Sequence, residues 1–412
     1  MRLCGEHCTS AIYTLRAEVT VDYDPYSDEA MTDPMPLYAA MRAEGGPHYI
    51  PKYDAWAIAR FDDVMEASLR EDVLDFSQGG SPGQVLLNEP SPASFATANA
   101  PVHRKWRQLV APQYGPAAIR AEQDRARALA RSVLDPLLKQ GRMDAHNDYA
   151  RPVMCRNSMY NLGLPMSDAE TISRWLQQMM FREKGQSGAT AALNQEAAGH
   201  LFGYLADWVA QLRADPSKAT GQSRRLLEGT IDGQPATDEQ LMGDLFVLLI
   251  TGAETTPMAT AGTLYYLARH PDQREAVIRD PALARAAFLE TCRLDQPTNM
   301  LARVAAKDFE LSGRHIKAGQ KILMIYASAN RDEKHFERAD SYDMHRKQRR
   351  DMSFGIGGHY CLGAHLGPAF GTIMVQEVLR AAPRYRIDEA GCKRSYAEFL
   401  AGFVEVPVIF EP

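Results

Sequence analysis

The chain has 412 residues, 45% hydrophobic and 24% charged, the balance of a globular protein able to bury a large core. A formal net charge of −6 argues against a general nucleic-acid binder, because no basic excess is available to neutralise phosphates. The longest apolar run in a helical stretch, LFVLLI at 245–250, is far short of the ~20 residues of a membrane span, so no membrane anchor is expected.

The chain begins MRLCGEHCTSAIYTL, which carries Glu6 and no continuous apolar stretch. That makes a poor signal peptide, and a cytoplasmic location is expected. Six cysteines (Cys4, Cys8, Cys155, Cys292, Cys361 and Cys392) in so long a chain without a secretion signal do not suggest a disulfide framework. Cys4, His7 and Cys8 could be read as metal ligands. A C-x3-C pair without a second ligand pair points instead to free thiols on a tail. Residues 1–30 are read as an N-terminal tail of unclear role.

Pro36 to Glu44 reads as a short helix. HYIPKYDAWAIARF alternates and breaks like a hairpin, with Trp56 and Ile58 on one face. Residues 77–100 are punctuated throughout by Gly, Pro and Ser, and a loop of that length is usually functional or disordered. Helical patterns then run from Pro101 to about Leu212. Asp232-Gly233 signals a turn, and Thr237 with Gln240 fits a capping box that opens a helix reaching about Arg269. At 1.5 Å rise per residue that rod is about 48 Å long and must cross the whole domain. Strand-like pieces return at Phe309 to Ile316, Lys321 to Ile325 and Val404 to Phe410. The fold class expected is mainly α with small β-sheets (α+β).

SFGIGGHYCLG, residues 353–363, surrounds Cys361 with four glycines. Each glycine loses more backbone freedom on folding than any other residue, so something must need the backbone close by or sharply bent. Cys361 could be a nucleophile, a zinc ligand, a buried thiol or an iron ligand. No second CxxC supports zinc, and His359, two residues away, is awkwardly placed as a base. The residues that follow look helical, which would put the thiol at a helix N-terminus, where thiolate is favoured. A thiolate among glycines suits a flat, bulky partner.

Phe354-x-x-Gly357-x-x-x-Cys361-x-Gly363 resembles the haem-binding signature of the cytochromes P-450. The resemblance implies haem b, with Cys361 as axial thiolate to the iron, Phe354 packed beside the sulfur and Gly363 next to it. Thiolate ligation favours O–O cleavage. Glu290 and Arg293, three apart on one helix face, match the family's E-x-x-R pair. SANRDEKHF, with Asn330, Arg331, Asp332 and Phe336, resembles the segment that folds back on that pair, with Glu333 where the family usually has proline. His103 and Arg107 match an H-x-x-x-R helix motif, and Arg303 lies in LARVAAKDFEL, which resembles the following strand. With His359, the resemblance makes these four groups the partners of the two haem propionates, since buried carboxylates need such partners. It covers residues 31–412 as one cytochrome P-450 domain.

LLITGAETTP lies in the middle of the long helix and resembles the family's oxygen-activating segment, with Gly252 at the cofactor. By that resemblance Thr255 is the hydroxyl donor and Glu254 the proton gate, a positioned pair that relays the protons dioxygen activation consumes. Pro257 removes one amide donor, and Thr255 can bond back to the carbonyl of Thr251, so a kink is expected between Thr251 and Pro257. Thr251 stands where the family usually has Ala or Gly. It either narrows the space or adds a hydroxyl to a water network.

The resemblance places Val247, Ile250, Thr251, Met300, Leu301 and Phe399 toward substrate. None is Arg or Lys, so an apolar, neutral small molecule is expected, with residues 77–100 and about 181–190 as a mobile lid. The chain lacks a G-x-G-x-x-G unit after a strand and a cysteine cluster for iron and sulfur. Electrons from NAD(P)H must therefore arrive through a separate ferredoxin-type protein. HRKQRR at 345–350 (Arg346, Lys347, Arg349, Arg350), together with Arg104 and Lys105, could dock such an acidic partner; a merely solvated charge run reads equally well. The function implied is a monooxygenase that hydroxylates or dealkylates its substrate. The alternatives are a peroxide-driven oxygenase and a non-catalytic haem-thiolate gas sensor or carrier.

Overall fold

The computed structural model describes residues 21–347 and 350–411. Cys4, His7 and Cys8 lie outside the described residues, as does Arg349. The functional region is framed by five helices: α1 (Val102–Val110), α2 (Arg151–Leu162), α3 (Asp238–Arg269), α4 (Ala284–Leu294) and α5 (Leu366–Ala381). A sheet of five short strands lies to one side: β1 (His48–Ile50), β2 (Ala55–Ile58), β3 (Leu74–Asp75), β4 (Leu301–Ala305) and β5 (Lys321–Met324), in spatial order β1-β2-β5-β4-β3. The β2–β5 pair is parallel and the others are antiparallel. No helix among the described residues is long and apolar enough to cross a membrane.

Helix α3 organises the interior. Its Thr237 hydroxyl accepts from the Gln240 amide while the Gln240 side chain accepts from the Thr237 amide, closing the expected capping box. Leu241, Leu245, Leu248 and Leu249 belong to one apolar cluster, with Leu201, Leu205 and Trp208. Ala261, Leu264 and Leu267 belong to another, with Phe370, Met374 and Val378 of α5. A helix buried on several faces reads as apolar all round rather than amphipathic.

Most of the expected elements are present. The predicted early helix is Met35–Glu44, and the predicted hairpin is β1–β2. The packed structure begins earlier than residue 31, however: Tyr23, Tyr26 and Ala30 are buried beside Tyr38 and Met41. Residues 77–100 include a capped turn of helix, Pro82–Leu86. Their contact with α3 is close, because a side chain at Gly243 would meet the Ala93 carbonyl oxygen at 2.0 Å.

Candidate functional site

The cysteine loop is a tight hairpin. The Cys361 amide donates to Phe354 O at 2.8 Å, and the Tyr360 amide to Gly357 O at 3.1 Å. Gly355 and Gly357 take φ of +67° and +83°, a backbone that L side chains rarely adopt. A Cβ on Gly357 would also come within 2.6 Å of Ser68 O. The Glu71 carboxylate fastens the loop from outside, accepting from the Gly358 amide at 2.6 Å and pairing with Arg104 of α1 at 3.1 Å. Sequence reasoning missed Glu71, whose partner in the loop lies 287 positions away.

Cys361 is exposed, a side chain presented rather than packed away. It does not stand at the first turn of a helix, as expected: α5 begins at Leu366, after a turn over residues 362–365. Burial of the loop raises the thiol pKa, and the Gly363 amide and Arg107 oppose that rise. Phe354 is half-buried and packs with Ala259, Phe288 and Cys292.

Three of the four expected anion partners share one column. The Arg303 guanidinium, from β4, lies 4.4 Å over the Phe76 ring. Phe76 stacks on His359 at 3.8 Å, and His359 stacks on His103 of α1 at 3.7 Å. His103 is 1% exposed, yet neither ring nitrogen has a hydrogen-bond partner, and Arg303 Nε is also unsatisfied at 5% exposure. Arg107 donates to Tyr360 O, within the electrostatic reach of Cys361. Burial, then neighbouring positive charge, pushes His359 down to about 2 and His103 below the usual histidine range. Buried donors left unpaired cost about 1–3 kcal/mol each. This set therefore fits a group that brings two carboxylates and accepts a thiolate at its metal, which is the donor set haem requires.

On α3, Thr251 is exposed and Thr255 half-buried, while Glu254 is buried at 4% exposure. Thr255 Oγ1 donates to Thr251 O at 2.9 Å, the expected back-bond, and Thr251 Oγ1 donates to Val247 O at 2.8 Å. The helix is nevertheless continuous through Thr251–Pro257, so the expected distortion takes no form of a break. Gly252 also departs from expectation: its missing Cβ would face Ser158 and Met154 of α2 at 3.3 and 3.8 Å, so it admits a neighbouring helix. Glu254 turns to α2 as well, where Arg151 Nη2 donates to its Oε2 at 3.0 Å. Nothing in the sequence pointed to Arg151.

Of the expected substrate-facing residues, Val247, Ile250, Leu301 and Phe399 are half-buried. Met300 is 1% exposed and shares an apolar cluster with Tyr38 and Leu323. The Glu290–Arg293 pair is buried, joined at 2.7 Å, and Arg293 also donates to Asn330 O and Ala339 O. Arg346, expected on a docking surface, instead points inward to Glu290 at 3.2 Å. Arg104 and Lys105 are exposed but paired with Glu71 and Asp232, while Lys347 and Arg350 are exposed. Glu333, the residue at the usual proline, supplies a carboxylate to buried Arg42 at 3.0 Å.

A presented thiol beside orphaned basic groups, in a chain whose long helix carries a buried acid next to a hydroxyl, fits a haem-thiolate class of site. The comparisons agree. The family model "Cytochrome P450" matches residues 169–381, and the chain belongs to the cytochrome P450 family. It is 29% identical over 388 residues to "Putative cytochrome P450 123" of Mycobacterium tuberculosis, covering 93% of this chain and 96% of that protein. It is 28% identical over 411 residues to "Vitamin D(3) 25-hydroxylase" of Pseudonocardia autotrophica, covering 95% and 98%. Among solved structures, that of CYP109E1 from Bacillus megaterium in complex with testosterone superposes with a TM-score of 0.83 at 23% identity, covering 94% and 100%. Myxobacterial CYP267B1 in complex with myristic acid gives 0.83 at 25%, covering 94% and 98%. The protein is a haem b-dependent cytochrome P450 monooxygenase, an oxidoreductase that acts on a small molecule and receives electrons through redox partners.

Proposed function

We propose that Cys361 is the axial thiolate of the haem and that His103, Arg107, Arg303 and His359 hold its propionates. The carrying observation is the stacked column of Arg303, Phe76, His359 and His103, in which both His103 ring nitrogens and Arg303 Nε are buried without partners. When bound, haem supplies dioxygen activation and transfer of one oxygen atom, with the thiolate feeding electron density to the metal. The protein's own residues do the rest. The glycine-bent loop fixes the sulfur. Thr255 Oγ1, whose own proton is committed to Thr251 O, retains lone pairs that accept a hydrogen bond from a neighbouring water and so keep that water placed to pass on a proton. Glu254, one residue earlier, cycles between carboxylate and acid to supply it.

The substrate on this reading is a largely apolar, neutral small molecule resting on Val247, Ile250, Leu301 and Phe399, with the Thr251 methyl narrowing the space because its hydroxyl is tied to the backbone. The testosterone bound by one structural relative is of this chemical kind, and the myristic acid bound by another shares its apolar bulk but adds a carboxylate. The reaction is hydroxylation or dealkylation, and a ferredoxin docks near Arg104, Lys105, Lys347 and Arg350. Substituting Cys361→Ala tests the core of the proposal. The variant should take up haem without a thiolate signature in its carbon monoxide difference spectrum and should lose turnover; a retained signature with turnover overturns it. Screening steroids, terpenoids and fatty acids for a low-to-high spin shift tests the substrate class, and a shift with charged polar compounds alone sinks it.

A further inference from the structure

One member of the stacked column has nothing to offer a carboxylate. Phe76 follows β3 directly, is 5% exposed and carries no donor. The Arg303 guanidinium stands 4.4 Å over its ring, and the His359 ring lies 3.8 Å from it, 7° from parallel. Two groups at those distances cannot share one face of a benzene ring, so Phe76 separates them. A cation over an aromatic face is attracted to it, which holds Arg303 in place without using any of its N–H groups. Without the ring, guanidinium and imidazole would come into contact and converge on a single acceptor. One ring apart, they can serve two.

Residues 77–100 leave the column at Phe76 and return to it at Asn99. At the front, the Gly79 amide donates to Phe76 O at 3.1 Å and the Ala302 amide to Gly80 O at 2.8 Å, one residue from Arg303. A Cβ on Gly80 would stand 3.3 Å from Arg303 Nη1. At the rear, Asn99 makes three contacts. Its Oδ1 accepts from the Phe76 amide at 2.8 Å, its Nδ2 donates to Asp75 Oδ1 at 2.7 Å, and its backbone carbonyl accepts from the His103 amide at 2.9 Å. The side-chain amide fits only one way round, because the carboxylate can only accept and the Phe76 N–H can only donate. Asn99 thus ties the spacer to the far end of the column, across 23 positions of chain. It is itself exposed, so its contacts set position more than they hold the fold together.

We propose that Phe76 and Asn99 are positioning residues for the two carboxylates of the cofactor. Phe76 keeps Arg303 and His359 a ring's thickness apart, so that each takes its own carboxylate. Asn99 sets where that ring stands by fastening it to the first turn of α1. The inference rests on the reading of the column as propionate partners given above. Both residues act through others: Phe76 has no polar atom in its side chain, and the Asn99 side-chain amide is committed to Asp75.

Two readouts on haem-loaded protein test this: the rate at which haem passes to excess apomyoglobin, and the propionate bending bands of the resonance Raman spectrum. Phe76→Leu keeps apolar bulk without the ring, and should speed haem loss about tenfold and shift the bands. Phe76→Tyr keeps the ring and should retain the wild-type bands. Asn99→Ala should leave the urea midpoint of the apoprotein close to wild type, yet speed haem loss about threefold and shift the same bands. Asn99→Asp, which sets a second carboxylate against Asp75, should do at least as much. Wild-type bands in either Phe76→Leu or Asn99→Ala overturn the proposal. Faster haem loss with unshifted bands also overturns it, because that is what lost packing alone produces. Failure of the underlying reading looks different. Arg303→Leu then leaves the bands unmoved, whereas it moves them if the column holds the propionates and only the spacer assignment is wrong.

Discussion

The cysteine loop and the Glu254–Arg151 pair are built in opposite ways. The loop is local. Its internal hydrogen bonds run between residues a few positions apart, with Glu71 fastening it from outside, and its shape comes from two glycines with positive φ. The acid pair is remote: Arg151 and Glu254 are 103 positions apart and meet only because α2 packs along α3, with Gly252 making room. Local geometry leaves a signature in the residue string. Long-range geometry leaves scattered residues that carry no mark until the chain is folded.

The sharpest way to break the comparison is in the frame behind the loop. Arg293 donates to both Glu290 oxygens, at 2.7 and 2.9 Å, and to three backbone carbonyls. Arg293→Leu leaves a buried carboxylate with only Arg346 and the Asp343 amide, and strands the carbonyls of Asn330 and Ala339. Breaking a buried pair from one side costs about 3–5 kcal/mol. Urea unfolding should show a loss of that order with haem content reduced in parallel; a loss below about 1 kcal/mol would show that the loop stands without this frame.

The two segments expected to form a lid give the counterpart. Arg182 meets Glu398 through contacts of 3.1–3.3 Å, with side chains 6% and 1% exposed. The Ala189 amide donates to Glu89 at 2.6 Å, joining the two segments expected to form the lid. Glu398→Gln should destabilise by about 3 kcal/mol, the lower end for a buried pair, because Arg182 keeps the carbonyls of Met179 and Phe181. Hydrogen exchange should speed up at residues 181–190 before it does in α3; uniform acceleration would mean that the pair belongs to the global core.

These cases mark how far the sequence could be read. The long helix, its cap and the cysteine loop were legible, because capping boxes and glycine-rich turns act over a few residues. His103, Arg303 and His359 were legible only through resemblance, and their assembly into a column depended on Phe76, an aromatic with no mark in the chain. Arg346 was misplaced because a basic run reads as surface until one of its members finds a buried carboxylate.

The column gives a smaller, pH-dependent effect. His359 is held down to about 2 in the folded protein, against about 6.5 in the unfolded chain. Below pH 6.5 the unfolded chain therefore binds a proton that the folded one refuses, and stability falls as pH drops from there toward the folded value. Between pH 6.5 and 5 the apoprotein should lose about 2 kcal/mol from this group. Haem-loaded protein should lose less, because two carboxylates facing the column favour the protonated ring. Urea midpoints of both forms at pH 7 and 5 check this, and equal losses would remove the carboxylates from the column.

Asp244 tests the lid side with the opposite sign. Its Oδ1 accepts from the Phe95 amide at 2.7 Å and so pins residues 77–100 to α3, while Oδ2 is buried without a full hydrogen bond and the Trp106 indole only partly offsets that burial. Burial pushes the carboxyl up to about 8. Between pH 4 and 8 the folded protein thus keeps a proton that the unfolded chain has released, so stability falls as pH rises through that window and levels off above it. Asp244→Asn keeps the acceptor for Phe95 and removes the titration. Relative to wild type it should gain about 1 kcal/mol between pH 6 and 7, the increment of one pH unit for a single linked proton. A difference that stays flat across that interval would place an ionised carboxylate at Asp244 and call for a cation beside it, where the described residues provide none within hydrogen-bonding distance of Oδ2.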